Sequence, residues 1–154
     1  MEKQLLELIE IAIGKEEEAH HFYLDLSKKI LDEPTRDAIL WIADEEAKHK
    51  KFLIDYRDGR LGTDKLRINE ITYYKIAEHQ KEPEAAPDIK REDVFLLAAH
   101  RELKAFQFYT ELAELHPGGI AKEMLLRMAS EEMKHKEKME YLYTNAAFPQ
   151  TDGG

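Results

Sequence analysis

Two thirteen-residue stretches decide the fold of this chain: IADEEAKHKKFLI at Ile42–Ile54 and MASEEMKHKEKME at Met128–Glu140. Each sets a carboxylate three residues before an imidazole, Glu46 before His49 and Glu132 before His135. Residues three apart on an α-helix share a face, so each Glu-x-x-His offers an oxygen and a nitrogen donor to one point in space. That donor pair is the chemistry of transition-metal ligation. The two motifs stand at a constant offset of 86, and of the 44 positions in Ile13–Tyr56, 12 are identical at that offset. The identities are Glu16, Ala19, Phe22, Tyr23, Leu26, Leu40, Ala43, Glu45, Glu46, Lys48, His49 and Lys50, gathered around the motif. The chain therefore reads as two copies of one helical unit.

Working outward from the first motif, Leu5, Leu8, Ile9, Ala12, Ala19, Phe22, Tyr23 and Leu26 recur in steps of three and four, which predicts a first helix running to about Leu31. Glu16 falls on that apolar stripe, four residues after Ala12 and three before Ala19, whereas Glu17 and Glu18 rotate toward solvent. Pro34 suits a helix start, so the second helix spans about Pro34–Tyr56, with Ala38, Ile39, Ile42, Glu46, His49, Leu53 and Tyr56 facing inward. In the second copy Val94 answers Leu8, Ala98 answers Ala12, Glu102 answers Glu16, and Phe108-Tyr109 answers Phe22-Tyr23. Helix three is expected over about Arg91–Leu115 and helix four over about Gly119–Tyr143, after the Pro117-Gly118-Gly119 turn.

Between the copies, Asp58-Gly59-Arg60-Leu61-Gly62-Thr63 ends a helix, a short helix is expected near Ile68–Glu78, and Glu82-Pro83 to Pro87-Asp88 reads as linker. Antiparallel neighbours need only a few residues of loop, so a connection of this length implies that helices two and three are parallel. The expected architecture is all-α: one four-helix bundle over 1–144, made of a helix pair at 1–57, a crossover at 58–90 and a helix pair at 91–144, with a loose tail at 145–154.

Composition narrows the function. With 154 residues the chain suits one domain with a proper core. The absence of cysteine excludes disulfides, thiol catalysis and cysteine-held iron–sulfur or zinc sites, and fits a reducing cytoplasm. A net charge of −9 without a basic cluster argues against nucleic acid. The N-terminal MEKQLLELIEIAIG is an amphipathic helix start rather than a secretory signal or membrane span, so no membrane partner is expected.

Four helices thus present Glu16, then Glu46 with His49, then Glu102, then Glu132 with His135. This set matches the ligand plan of the ferritin-like di-iron and di-manganese carboxylate bundles. More closely, the chain resembles the rubrerythrin branch of the ferritin-like family over nearly all of Met1–Tyr143. The strings that carry the resemblance are EEEAHHFY at Glu16–Tyr23, ELKAFQFY at Glu102–Tyr109, EEAKH at Glu45–His49 and EEMKH at Glu131–His135. Relatives carry a further ligand carboxylate three residues after the helix-three glutamate. Ala105 stands at that position here and Ala19 at its counterpart, so the ligand set read from this chain is the symmetric six. The cysteine-rich rubredoxin module that many relatives carry is not seen.

The resemblance implies a non-haem di-iron or di-manganese oxidoreductase, reducing hydrogen peroxide or dioxygen to water in oxidative-stress defence. Its cofactor would be two iron ions, with manganese, or zinc as a substitute, equally suited to the ligands. Electrons would come from outside, from a separate rubredoxin-like or flavin protein, and the protein would be a homodimer able to exchange helix pairs through its long linker. Two other functions fit the same residues: a ferroxidase or iron-handling protein, and a metal-stabilised structural bundle. Charge favours a metal in every case, since four carboxylates in a helical core are costly unless compensated, and two divalent ions cancel their charge. The alternative without metal is a salt-bridged bundle with Glu46 and His49 on a solvated face.

Tyr23 and Tyr109 lie two turns from Glu16 and Glu102 on the same face, where a hydroxyl can bond a ligand carboxylate or simply pack in the core. His20, four residues after Glu16, is a candidate extra ligand, although its counterpart Phe106 speaks for packing. His21, His79, His100 and His116 fall off the stripe or in loops and are expected at the surface. Trp41, Met124, Met128 and Met139 are expected to pack in the core.

Overall fold

The computed structural model describes residues 3–60, 82–83 and 89–147. Four α-helices account for most of them: α1 (Lys3–Ser27), α2 (Glu33–Arg57), α3 (Arg91–Glu114) and α4 (Ile120–Ala147). Among the described residues there is no strand, as the composition predicts. The chain divides into two compact units, Met1–Lys65 and Leu66–Gly154. Each holds one helix pair, so each compact unit contains one copy of the repeat.

In the first unit the helices run antiparallel. His20 of α1 meets Ala43 of α2, Lys50 meets Glu17, and Arg57 meets Glu10, so numbers rise along one helix as they fall along the other. Ile9, Ala12, Tyr23, Leu26, Ile39, Ile42 and Leu53 are buried on the predicted stripes. α1 stops at Ser27, four residues short of the expected Leu31. The Ser27 hydroxyl donates to the Leu24 carbonyl at 2.6 Å, and Lys29 and Ile30 turn back onto Leu26 and Ser27. Such back-bonding lets a hydroxyl compete with the helix ladder. Ile30 is then buried by the turn, while Leu31 stands 96% exposed.

α2 starts where its cap dictates. Asp32 has extended backbone and its carboxylate accepts from the Thr35 N–H at 3.1 Å and from the Thr35 hydroxyl, with Pro34 in the first turn. It ends in a Schellman arrangement: the Arg60 N–H donates to Asp55 O at 2.8 Å and the Gly59 N–H to Tyr56 O at 3.2 Å. Gly59 supplies the positive φ of 70° that this turn needs.

The second unit repeats the plan with different punctuation. The His116 ring Nδ1–H donates to the Leu112 carbonyl at 2.9 Å and closes α3. Gly118 and Gly119, with φ of 151° and 99°, carry the chain into α4. α4 runs four residues past the expected Tyr143, because nothing in Thr144-Asn145-Ala146-Ala147 breaks a helix and Thr144 bonds its hydroxyl to Glu140 O at 3.0 Å. Met124, Met128 and Met139 are buried as expected, whereas Trp41 is only half-buried. Glu82 of the connection is tied to Lys104 of α3 at 2.7 Å. The expected helix near Ile68–Glu78, the linker end Pro87-Asp88 and the tail beyond residue 147 lie outside the described residues.

Candidate metal centre

In the first unit Glu16 of α1 and Glu46 and His49 of α2 are 1–3% exposed. His49 Nδ1 lies 3.7 Å from Glu16 Oε1, and Glu46 and His49 offer an oxygen and a nitrogen within 4.8 Å of each other. In the second unit Glu102 of α3 and Glu132 and His135 of α4 show the same exposures. His135 Nδ1 lies 3.7 Å from Glu102 Oε2, and the Glu132–His135 donors fall within the same 4.8 Å. Each unit therefore brings its Glu, Glu and His together, and the two triads agree in burial and in distance.

The local sequence explains why these acids point inward and their neighbours do not. Glu45 and Glu131, one residue before the motif glutamates, turn outward and pair with Lys48 at 3.3 Å and Lys134 at 3.0 Å. Asp44 joins the first of these pairs, and the two acids hold the Lys48 ammonium above its ordinary value, hydrogen bonding to Asp44 being the largest cause. These outward pairs account for the repeated Glu45 and Lys48. Leu40 and its counterpart Leu126 are also identical but are 38% and 42% exposed, so not every identity lies beside the donors.

The donor set fits a metal. Two carboxylates and one imidazole per unit, all buried and without a thiolate, suit iron, manganese and zinc. Buried carboxylates are costly without a compensating cation, and a metal ion is the compact way to supply one. Lys48 and Lys134, inside each motif, are turned away toward Glu45 and Glu131.

Around the triads, Tyr23 and Tyr109 are wholly buried, each edge-on to the preceding phenylalanine at 5.4 Å and 5.3 Å. Their burial agrees with the repeat. His20 is half-buried and its Nδ1–H donates to the Ala43 carbonyl at 2.8 Å, which leaves Nε2 alone for any ligation. Ala19 and Ala105, three residues after Glu16 and Glu102, supply no further donor. Among the remaining histidines, His21 is exposed beside Glu17. His116 caps α3, and His79 lies outside the described residues. His100 departs from expectation: it is half-buried and its Nε2 is shut off from solvent without a hydrogen bond.

A feature absent from the sequence reading sits one residue beyond the second motif. Lys136 is wholly buried, with its Nζ 2.6 Å from Glu140 and 3.7 Å from Glu137. The signal was available in the spacing, since Lys136 and Glu140 follow Glu132 by four and eight residues and so share its face.

A protein-family model described as rubrerythrin matches residues 7–90, more than half of the chain. No curated protein and no solved structure matches. The matched stretch holds the first triad, and the second triad lies in the copy that follows it.

Proposed function

The chain belongs to the rubrerythrin family, and on that premise we propose that the two buried triads bind the metal of a di-iron or di-manganese oxidoreductase that reduces hydrogen peroxide or dioxygen to water. The fold class is accordingly all-α and ferritin-like. Glu16, Glu46 and His49 would hold metal from the first unit, and Glu102, Glu132 and His135 from the second. The observation that carries this reading is the duplication itself: the same buried Glu, Glu-x-x-His triad, with the same 3.7 Å approach of histidine to glutamate, occurs twice. One isolated triad would read as a single-ion site or as a buried ion pair.

When bound, a pair of ferrous ions supplies the two electrons and the Lewis acidity that cleavage of an O–O bond requires. The protein's own residues do the rest. The four glutamates offset the cationic charge, so a change of oxidation state strands less charge in the interior. The imidazoles fix the donor geometry because their helices are rigid. Tyr23 and Tyr109, buried two turns from Glu16 and Glu102, are proposed to hydrogen-bond the ligand carboxylates and fix their orientation. Reduction of peroxide to two waters consumes two protons and two electrons, and a chain without cysteine holds no thiolate-bound cluster to deliver them. Sustained turnover therefore needs an external donor, a rubredoxin-like or flavin protein. The working form is proposed to be a cytoplasmic homodimer.

The test is anaerobic stopped-flow mixing of Fe(II)-loaded protein with peroxide and, separately, with dioxygen. The expected result is faster oxidation by peroxide, with about one peroxide consumed per two irons and then a stop until a reductant is added. Rapid oxidation by dioxygen with many irons taken up per chain, from a 12- or 24-subunit particle by light scattering, would instead support iron storage. No oxidation by either oxidant sinks the redox reading.

A further inference from the structure

The two helix pairs carry the same lysine one residue after the motif histidine, Lys50 and Lys136, in different surroundings. Each lysine follows its motif glutamate, Glu46 or Glu132, by four residues and so stands one turn along the same helix face. Lys50 leads away from the core: its side chain is 32% exposed and its Nζ reaches Glu17 of α1 at 3.4 Å. Lys136 has no exposure at all, and its Nζ lies 2.6 Å from Glu140, which is equally buried. Glu137 stands at 3.7 Å. The first pair has Ile54 where the second has Glu140, and Lys51 where the second has Glu137.

A buried ammonium one turn from a metal-ligating carboxylate is a competitor for it. It bears the same sign of charge as the ion and is tethered at high local concentration. Its flexible four-carbon arm can address acids four residues before it or four after it. In a poorly solvated interior whichever carboxylate it meets holds it strongly. Lys50 has an exit toward solvent and Glu17; Lys136 has none, and the acid on its far side decides where the ammonium rests.

We propose that Glu140 is a positioning residue that holds Lys136 off Glu132 and so keeps Glu132 available to metal in the second helix pair. This rests on the metal reading above. Glu140 acts only through the lysine. Where position 140 has its first-pair counterpart, Ile54, the lysine has its exit and no such acid is needed. A net charge effect is a separate matter, because Glu137 also carries a negative charge close to Nζ but at 3.7 Å rather than 2.6 Å. Position and charge are therefore separable by experiment.

The experiment is a titration of metal-free full-length protein with Mn(II), following the free-ion signal by electron paramagnetic resonance, on the wild type, E140Q, E137Q and K136M/E140I. Glu140→Gln should weaken Mn(II) binding by about 10- to 100-fold, the range found when a group supporting a metal ligand is lost. Glu137→Gln, with the same change of charge, should weaken it far less. The double variant, which removes the competitor with its anchor, should bind at least as tightly as the wild type. If E140Q fails to fold, as circular dichroism will show, the double variant carries the test alone. E140Q binding like the wild type, E137Q losing as much as E140Q, or a double variant that binds more weakly than the wild type each overturns the proposal. Wild-type protein that takes up no Mn(II), Fe(II) or Zn(II) overturns the metal reading together with it; normal wild-type binding with an unaffected E140Q overturns this inference alone.

Discussion

His49 stands 3.7 Å from Glu16 in the first helix pair, and His135 stands 3.7 Å from Glu102 in the second, and the edge-on Phe-Tyr pairs and outward Glu–Lys pairs match too, yet other supports of the two triads differ. The first pair is tied across by a histidine on a backbone carbonyl, His20 to Ala43, where the second has Phe106. The first sends its motif lysine outward to Glu17, and the second buries it against Glu140. The first opens its second helix with an Asp32 cap, and the second with two glycines at positive φ. Duplication has kept the donors, their spacing and the buried tyrosines, and released the cross-helix tie, the motif lysine's partner and the helix start. The six donor positions behave as one chemical requirement, whereas each half solves its own packing problem.

Removing metal should strain both halves together and gives the largest expected effect. Each ion bound only by the folded state adds about 2.7 kcal/mol at a hundredfold excess over its Kd, so chelation should lower Tm by many degrees. Glu46→Gln or Glu132→Gln should weaken metal uptake while raising the melting point of the metal-free protein, because one buried charge is gone. Calorimetric scans with and without chelator check both. An unmoved melting curve on chelation would mean that the triads hold no metal.

The two lysines separate the halves next. Lys136→Met leaves Glu140 buried without its cation and should cost about 3–5 kcal/mol. Lys50→Met removes a partly exposed ion pair and should cost roughly 0–1 kcal/mol. Denaturant unfolding of the two variants measures the gap. Equal costs would show that the surroundings of Lys136 and Lys50 do not differ in energy as their burial says.

The helix starts differ less. Gly119→Ala places a side chain at φ 99° and should cost about 1–3 kcal/mol although the space around it is open. Asp32→Ala removes the cap of α2 and should cost about 1 kcal/mol. Thermal unfolding of both variants gives the order; Asp32→Ala as the worse of the two would put the weight of the turn on side-chain capping.

Much of this was legible in the sequence for a physical reason. The inward acids stand on helical spacing, and periodicity is what a helix imposes, so Glu16, Glu46 and Glu132 could be separated from Glu17, Glu45 and Glu131 before any coordinates. Helix ends were less legible, because they turn on single hydrogen bonds such as Ser27 to Leu24 and Thr144 to Glu140. Lys136 is not legible from the stripe alone, because a charged residue there reads as a ligand or as surface, and a lysine buried against Glu140 is neither. His100 departs from the expected surface for a related reason: the stripe marks the most buried line of a helix, but α3 is buried over a wider arc, from Val94 through Ala99.

The smallest effect settles the role of His20. Its Nδ1–H donates to the Ala43 carbonyl at 2.8 Å, so the ring is oriented by the backbone of α2 one turn before Glu46. His20→Phe makes the first half like the second, which has Phe106 at that position. The lost hydrogen bond is worth about 0.5–1.5 kcal/mol, and the apolar ring recovers part of that on a half-buried site. A net destabilisation below about 1 kcal/mol is therefore expected. Metal uptake should be unchanged, since the second triad has the same Glu, Glu and His donors with Phe106 at this position and so needs no imidazole there. Zn(II) or Mn(II) titration of the variant beside the wild type checks this. A clear fall in affinity with no fall in stability would make Nε2 of His20 a seventh donor and would break the equivalence of the two triads at the metal itself.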